Sequence, residues 1–397
     1  MKYEFKEVVL DSRTGLNPRK NFVLGNGNNN YITIKDIYDG KINITDKTDK
    51  VDDDAIQIIK KRSRIKVGDI LFVSIGRIGE TAIVSEKDDS WDVNESVFVF
   101  TVNEEIITPE YFCMLFRSDT VKDYLTGNSS GSTFKSIKMN QLERMVFDLP
   151  SLDIQRDITA KLVKIKDVCS LRTSQLTYFD ELIKARFVEL FGDPQLNPFE
   201  WDVVNISEVV GGKVSNGFFA KRDDYTDTGN VSVLGVANIV NRMYSKMDDL
   251  PRTNADDKDI GKFAVRYGDM LFCRSSLVAE GIGKASIIPE DVQENVLFEC
   301  HVIRLPLDLR KCVPEFMQTL STMDYFRNQV IAQSKTATMT TIGQDGILKT
   351  EIILPPIEKQ KEFYDFVKQV DKSKVVVQKA LEETRKLFDS LMQDYFG

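Results

Sequence analysis

The chain has 397 residues, 42% of them apolar and 29% charged, with 53 basic side chains against 61 acidic ones and a formal net charge of −8. That length exceeds what one hydrophobic core usually supports, so two or more domains of a soluble, folded protein are expected. The acidic balance argues against non-specific attraction to nucleic acid, although a reader of base edges needs only local positive faces.

No apolar run reaches the roughly eighteen residues of a membrane span. The opening MKYEFKEVVLD lacks the long apolar core of a signal peptide, so a cytoplasmic protein without a membrane partner is expected. Cys113, Cys169, Cys273, Cys300 and Cys312 are far apart and contain no CxxC pair, which argues against a disulfide framework and a zinc ribbon, and no metal site is expected. His301 is the single histidine and sits in FECHVIRL, which reads as a strand.

Residues 1–148 read as a first globular domain. The opening EFKEVVLDSRTGLNPRKNF passes from a strand-like run into a polar loop carrying Arg13, Asn17, Arg19, Lys20 and Asn21. Arg and Asn are the side chains that pair bidentately with guanine and adenine, and Lys and Arg suit phosphates. In GNGNNNYITIKDI, Gly25 and Gly27 supply half of a dinucleotide fingerprint, but Asn30 stands where the third glycine belongs, so no such site is assigned. YITIKDI alternates as a strand should, and DGKIN turns. IKVGDILFVSIGRIGETAIV reads as a β-hairpin with Arg77 at its tip, and SVFVFTV as a further strand. TPEYFCMLFRSDTVKDYLTG has a helix start at Pro109. A polar loop with Lys135 and Lys138 follows, and then the strand MVFDLP.

Leu149–Gly192 reads LPSLDIQRDITAKLVKIKDVCSLRTSQLTYFDELIKARFVELFG, and Leu354–Gly397 repeats its pattern at a constant offset of 205. Apolar residues alternate at spacings of four and three. In the first copy they are Ile158, Leu162, Ile165, Cys169, Leu176, Phe179, Ile183 and Leu190, interrupted by Arg172 and Arg186. The corresponding positions hold Phe363, Val367, Val370, Lys374, Val377, Leu381, Thr384, Phe388, Leu391 and Tyr395. A repeat of 3.5 residues marks a coiled-coil seam, and its helix–helix contacts are expected from Ile158, Leu162, Ile165, Leu176, Phe179, Ile183, Val367, Val370, Val377, Leu381, Phe388 and Leu391. Pro150, Pro355 and Pro356 permit a helix to begin, and Gly192 with Pro194 ends the first one. About forty residues at 1.5 Å each make a rod of roughly 60 Å. Two such helices with imperfect seams most simply pair with each other.

The segment between the long helices repeats the order of the first domain. YGDMLFCRSSLVAEGIGKASII parallels VGDILFVSIGRIGETAIV, with Gly268 and Asp269 matching Gly68 and Asp69 at an offset of 200. Pro314, Thr338, Ile342 and Ile347 match Pro109, Thr133, Ile137 and Leu142 at 205. The expected architecture is α+β. Two mixed α/β domains lie in tandem, 1–148 and 193–353, each followed by a spacer helix, 149–192 and 354–397, and the two helices form an antiparallel coiled coil.

The LP-[SP]-x-x-x-Q start of each helix, the GD-[IM]-L-F hairpin, the [FM]-x-x-I of the polar loop and the FG-D-P end of the first helix resemble the specificity subunit of type I restriction-modification systems, over the whole chain. The resemblance implies two target-recognition domains, each contacting one half of a bipartite site in double-stranded DNA. It also implies two docked methyltransferase subunits and further restriction-translocase subunits. S-adenosylmethionine, ATP and Mg would belong to those partners, with no cofactor in this chain.

The residues agree with a non-catalytic role. Asn197, Pro198 and Phe199 carry one proline where an adenine-methylating loop has two; no Walker loop occurs, and no Ser, His, Asp arrangement is read around the single histidine. Loop position and chemistry nominate Arg13, Asn17, Arg19, Lys20, Arg77, Lys135 and Lys138 as DNA contacts in the first domain. Lys213, Asn216, Lys221, Arg222, Arg274, Lys284 and Lys335 are nominated in the second. The alternative on sequence grounds is a coiled-coil adaptor that binds proteins rather than DNA.

Overall fold

Runs such as Ile70–Val73, ILFV, have no polar alternation and are stable as strands only with both faces covered. A computed structural model, which describes residues 1–18, 21–131 and 134–397, buries all four of those residues in the middle of a sheet. The chain divides into two units, Met1–Thr173 with Lys379–Gly397, and Ser174–Gln378. The division falls inside both long helices, Leu152–Phe191 and Ile357–Phe396, so each unit contains one globular body and one half of each helix.

In the first unit a four-stranded antiparallel sheet runs in the order Val9–Thr14, Val97–Val102, Ile70–Val73, Thr81–Ile83. A three-stranded sheet sets Asn29–Ile32 between Asp49–Val51 and, in parallel, Trp91–Val93. The helix Asp53–Ser63, which hydrophobic patterning alone leaves unassigned, starts where the Asp52 carboxylate accepts from the Ala55 N–H at 2.8 Å and ends at Arg64 with φ of +47°. Phe5, Phe72, Phe100, Phe112 and Phe116 fill the core, with Phe112 and Phe116 stacked at 4.4 Å.

Three local expectations are corrected here. The strand read in YITIKDI stops at Ile32, because the Asp36 carboxylate accepts from the Thr33 N–H at 2.8 Å and closes a turn. The strand-like opening contains a short helix, Phe5–Val8, between strands Lys2–Glu4 and Val9–Thr14. The helical stretch after Pro109 is two helices, Pro109–Leu115 and Asp119–Asn128, the second begun by the Ser118 hydroxyl capping the Val121 N–H.

The second unit repeats this plan. Its four-stranded sheet has the order Ser215–Asn216, Val302–Pro306, Asp269–Cys273, Ala285–Ile287. Its three-stranded sheet sets Val231–Leu234 between Arg252–Thr253 and, in parallel, Val296–Phe298. Gly68 and Gly268 have φ of +90° and +91°, a turn conformation that favours glycine, and the carboxylates of the following Asp69 and Asp269 accept from the backbone N–H groups of Lys66 and Arg266.

Each long helix is tied to its body by one glutamine in its first turn. Gln155 is fully buried; its amide oxygen accepts from Thr108 N–H at 3.0 Å and its nitrogen donates to the carbonyls of Ile106 at 2.8 Å and Pro150 at 2.9 Å. Gln360 repeats this with Val313 N–H at 2.9 Å and the carbonyls of Lys311 and Pro355 at 3.1 and 2.7 Å.

Inside each unit the helix halves run in opposite directions. In the first, Ile158 and Leu162 share a cluster with Phe388, Leu391 and Phe396, and the Arg172 guanidinium donates to the Ala380 carbonyl and the Thr384 hydroxyl. In the second, Phe187 packs edge-on to Phe363 at 5.5 Å, Arg186 meets Glu362 at 3.0 Å and Lys374 meets Asp180 at 2.6 Å. The polar interruptions at Arg172, Arg186, Lys374 and Thr384 therefore sit on polar partners. Of the residues read as the seam, Ile158, Leu162, Ile183, Val367, Val370 and Leu381 are buried, and Ile165, Leu176, Phe179, Val377, Phe388 and Leu391 are half-buried.

Glu315, 1% exposed, lies on the helix Pro314–Ser321 and accepts from the Tyr244 hydroxyl at 3.1 Å. Burial pushes its carboxyl up from 4.5 to about 7.

Three outcomes follow. Ile183→Asp sets a charge in a buried cluster of the second unit and is expected to cost about 3–5 kcal/mol in denaturant unfolding; unchanged stability would show that the side chain is not enclosed. Gln360→Met strands one N–H and two carbonyls and is expected to cost roughly 2–3 kcal/mol, read in the same way. Glu315 is protonated in the folded state over a range where it ionises when unfolded, so its contribution is fully present below about pH 4.5 and is lost as pH rises through about 7. Glu315→Gln is expected to remove a decline on the order of 3 kcal/mol across that window; an identical pH profile in the variant would contradict the assignment.

Candidate nucleic-acid interface

The hairpin tips and the polar loops before the last strand converge in each body. In the first unit, Ile75 bridges Ser136, the Gly76 N–H donates to the Lys135 carbonyl at 3.0 Å, and the Ile137 N–H donates to the Ser74 carbonyl at 2.9 Å. Gly76 and Gly79, with φ of +75° and +93°, turn the tip. Arg77 is exposed there, donating to the carbonyls of Ile34 and Ile37 at 3.0 Å each, with its guanidinium 5.8 Å over the Tyr38 ring. Lys135 is exposed beside it, and so is Phe134, at 71%. Arg77, Lys135 and an exposed aromatic ring thus share one edge: charge for phosphate and a flat face for bases. Lys138 is exposed just beyond, before the short helix Met139–Leu142.

The second unit builds the same junction more completely. Ser275–Ser276, Thr340–Thr341 and Lys335–Thr336 form a three-stranded sheet in which Ser275 pairs with Thr341, the counterpart of Ile75 with Ser136. Lys335 is exposed on its edge. The extra residues of this tip carry Leu277 at 81% exposure, together with exposed Val278. A cavity of about 460 Å³ lies beside it, lined by Ser275, Leu277, Lys284, Glu299, His301 and Met339 among others. Arg274 is half-buried and donates to the Cys300 carbonyl at 3.3 Å, and Lys284 donates to the Asn241 amide oxygen at 2.7 Å.

The remaining candidates scatter. Lys213, Lys221 and Arg222 are exposed, and Asn216 is half-buried in a strand opposite Ile303. Asn17 is half-buried, its carbonyl accepting from the Asn21 side chain at 2.9 Å. Arg19 and Lys20 lie outside the described residues.

Arg13 is withdrawn as a DNA contact. It is 6% exposed in the central sheet, and its guanidinium is held by the Asp69 carboxylate at 2.9 Å, the Thr101 hydroxyl and the Arg64 carbonyl at 2.7 Å. A buried Arg–Asp pair of this kind is part of the fold, since stranding either charge is costly. In the second body Arg304 donates to the Ala264 carbonyl at 2.7 Å, and burial pushes the Asp269 carboxyl above its ordinary range, opposed by the Arg266 N–H and the Arg304 guanidinium.

His301 also departs from its sequence reading. It lies in the turn before the strand Val302–Pro306, exposed, with Nδ1 3.3 Å from the Ser275 hydroxyl, and it lines the cavity at the tip. Phe134, Leu277 and Val278 were not nominated either; the signal present was an apolar residue in an otherwise polar tip, where no core demands it. Among the described residues, no group of three or more His, Cys, Asp or Glu is placed to hold a metal ion, and no helix is long and apolar enough to cross a membrane.

Two stretches, residues 2–178 and 198–384, match the family described as the type I restriction modification DNA specificity domain. The chain is 21% identical over 377 residues to the type I restriction enzyme MjaIX specificity subunit of Methanocaldococcus jannaschii, covering 89% of this chain and 80% of that one. It is 22% identical over 312 residues to the StySPI specificity subunit of Salmonella potsdam, covering 74% and 66%. Two solved structures share its fold. One, from work on complex assembly and conformational transition of the type I R-M system, has a TM-score of 0.57 at 19% identity and covers all of this chain and 97% of its own. The other, a type I S subunit from M. genitalium, has a TM-score of 0.54 at 10% identity and covers all of this chain and 96% of its own. The duplicated body, the duplicated helix and the two matches of one domain agree: the chain belongs to the type I restriction-modification specificity-subunit family and carries that family's DNA specificity domain twice.

Proposed function

We propose that the chain is the non-catalytic DNA-reading subunit of a cytoplasmic type I restriction-modification complex. Each body reads one half of a bipartite site in double-stranded DNA, through the hairpin tip and the polar loop laid against it. The observation that carries the reading is the junction built twice. Ile75–Ser136 and Ser275–Thr341 are equivalent pairs, yet the side chains displayed around them differ: Arg77, Phe134 and Lys135 in one, Leu277, His301 and Lys335 in the other. A constant support with variable display suits a protein whose two halves recognise different sequences.

The two long helices act as an antiparallel coiled coil that fixes the gap between the half-sites. Their outward faces receive two methyltransferase subunits, joined by restriction-translocase subunits, and those partners bring S-adenosylmethionine, ATP and Mg. The opposed helix halves seen within each unit, with polar residues on polar partners, support that role.

The ruler is tested in the assembled methyltransferase. Four residues inserted into each helix, at 165–180 and at 370–385, form a stutter that a coiled coil tolerates and add about 6 Å. That corresponds to about two base pairs at 3.4 Å each. The recognised gap is expected to lengthen by about that amount with both half-sites unchanged; an unaltered gap in a folded, active variant would refute the ruler.

A further inference from the structure

The second unit holds a basic cavity in an otherwise acidic chain. It has a volume of about 390 Å³ and is lined by Lys184 of the first long helix, Arg242, Lys284 and Arg327, with Asp180 as its one carboxylate. Asp180 is already paired with Lys374 at 2.6 Å. Among the described residues none of the four cations has a carboxylate partner. Lys284 donates to Asn241 Oδ1 at 2.7 Å, Arg242 to the Val240 carbonyl at 3.3 Å, and Arg327 through Nη2 to the carbonyls of Glu280 and Ile282 at 3.1 and 2.6 Å. Arg327 Nη1 is buried with no partner. Buried Gln318 links the two sides of the cavity, donating to the carbonyls of Arg242 and Ala285 at 3.1 and 3.3 Å.

The equivalent place in the first unit serves as an internal control. There a cavity of about 570 Å³ carries Arg117, Lys122, Lys166 and Arg385, but also Asp39, Glu80, Asp119 and Asp389. Position by position, Glu80 corresponds to Lys284, each after a positive-φ glycine, and Asp389 corresponds to Lys184 at the 205 offset. Asp39 corresponds to Asn241, both left-handed with φ of 54° and 57°. Three carboxylates of a neutralised cavity are thus two lysines and an amide in the other. Four cations lining one cavity, with no carboxylate partner of their own among the described residues, are stabilised when an anion enters or water screens them.

We propose that the Lys184–Arg242–Lys284–Arg327 cavity is a phosphate-binding site. Its occupant is a phosphate group, taken either from a free phosphoanion or from the backbone of the duplex; only the second source rests on the function proposed above. Arg242 and Arg327 offer planar forks of donors, and Lys184 and Lys284 offer mobile point charges.

The test uses the full chain with two probes: inorganic pyrophosphate by calorimetry, and duplex DNA by affinity across a salt series. The variants are Arg242→Gln, Lys184→Gln and their double; Arg117→Gln, in the neutralised cavity, is the control. Binding of pyrophosphate by wild type, weakened tenfold or more in the double variant and unchanged in the control, supports the site with a free phosphoanion as occupant. Absence of pyrophosphate binding, with the DNA salt slope falling by about 1–2 in the double variant alone, supports it with the duplex backbone as occupant, since each lost contact removes about 0.9. Wild type that binds duplex with a steep salt slope which the double variant reproduces, and that ignores pyrophosphate, overturns the site while leaving DNA reading intact. If wild type binds no duplex, the DNA reading fails, and pyrophosphate alone decides: weakened binding in the folded double variant supports the site, and no binding by wild type overturns it.

Discussion

Two buried glutamines set the geometry on which everything else depends. Gln155 and Gln360 each close three hydrogen bonds with their own body from the first turn of a long helix. The bonds go to backbone groups at the start of the helix Pro109–Leu115 or Pro314–Ser321, and to the carbonyl of the proline that precedes the long helix. A fully buried amide with its donors and acceptor all committed has one orientation, and the alternative is an unsatisfied polar group in the core. The helix direction is therefore fixed relative to the body it leaves. The same bonds recur 205 residues later, so both helices are tied to their bodies in the same way.

Built on that clamp, each body has a repeated interior and a variable rim. The strand pairs, the Gly-Asp turn and the tip-to-loop bridge recur in both units. What differs is which side chains face outward at the tip, and which charges line the cavity next to the helix. Sequence divergence concentrated where packing does not constrain it is what recognition requires, because exposed loop residues can change with little effect on stability.

Much of this was legible from the residues. The constant 205 offset, the proline starts, the seam spacing and the Gly-Asp hairpins depend on local periodicity and turn chemistry, which a sequence displays directly. Arg13 was misread because its partner Asp69 is 56 positions away, and only the pairing of strands brings them together. Arg172 looked like a break in the seam, whereas Thr384 and the Ala380 carbonyl, on the other long helix, receive it. The helix Asp53–Ser63 escaped notice because its apolar residues are few, its start resting on the Asp52 cap. His301 and Leu277 gained their positions from tertiary folding around the tip, a relation with no local signature.

We propose that the two bodies read two half-sites at a fixed separation. The most direct test is a methylome: the chain is co-expressed with the methyltransferase encoded beside it, and modified adenines are mapped across the genome. One split motif with two defined halves and a constant gap is expected, lost when the chain is omitted. Methylation at short continuous sites, or methylation by the demonstrably active methyltransferase that does not depend on this chain, would contradict it.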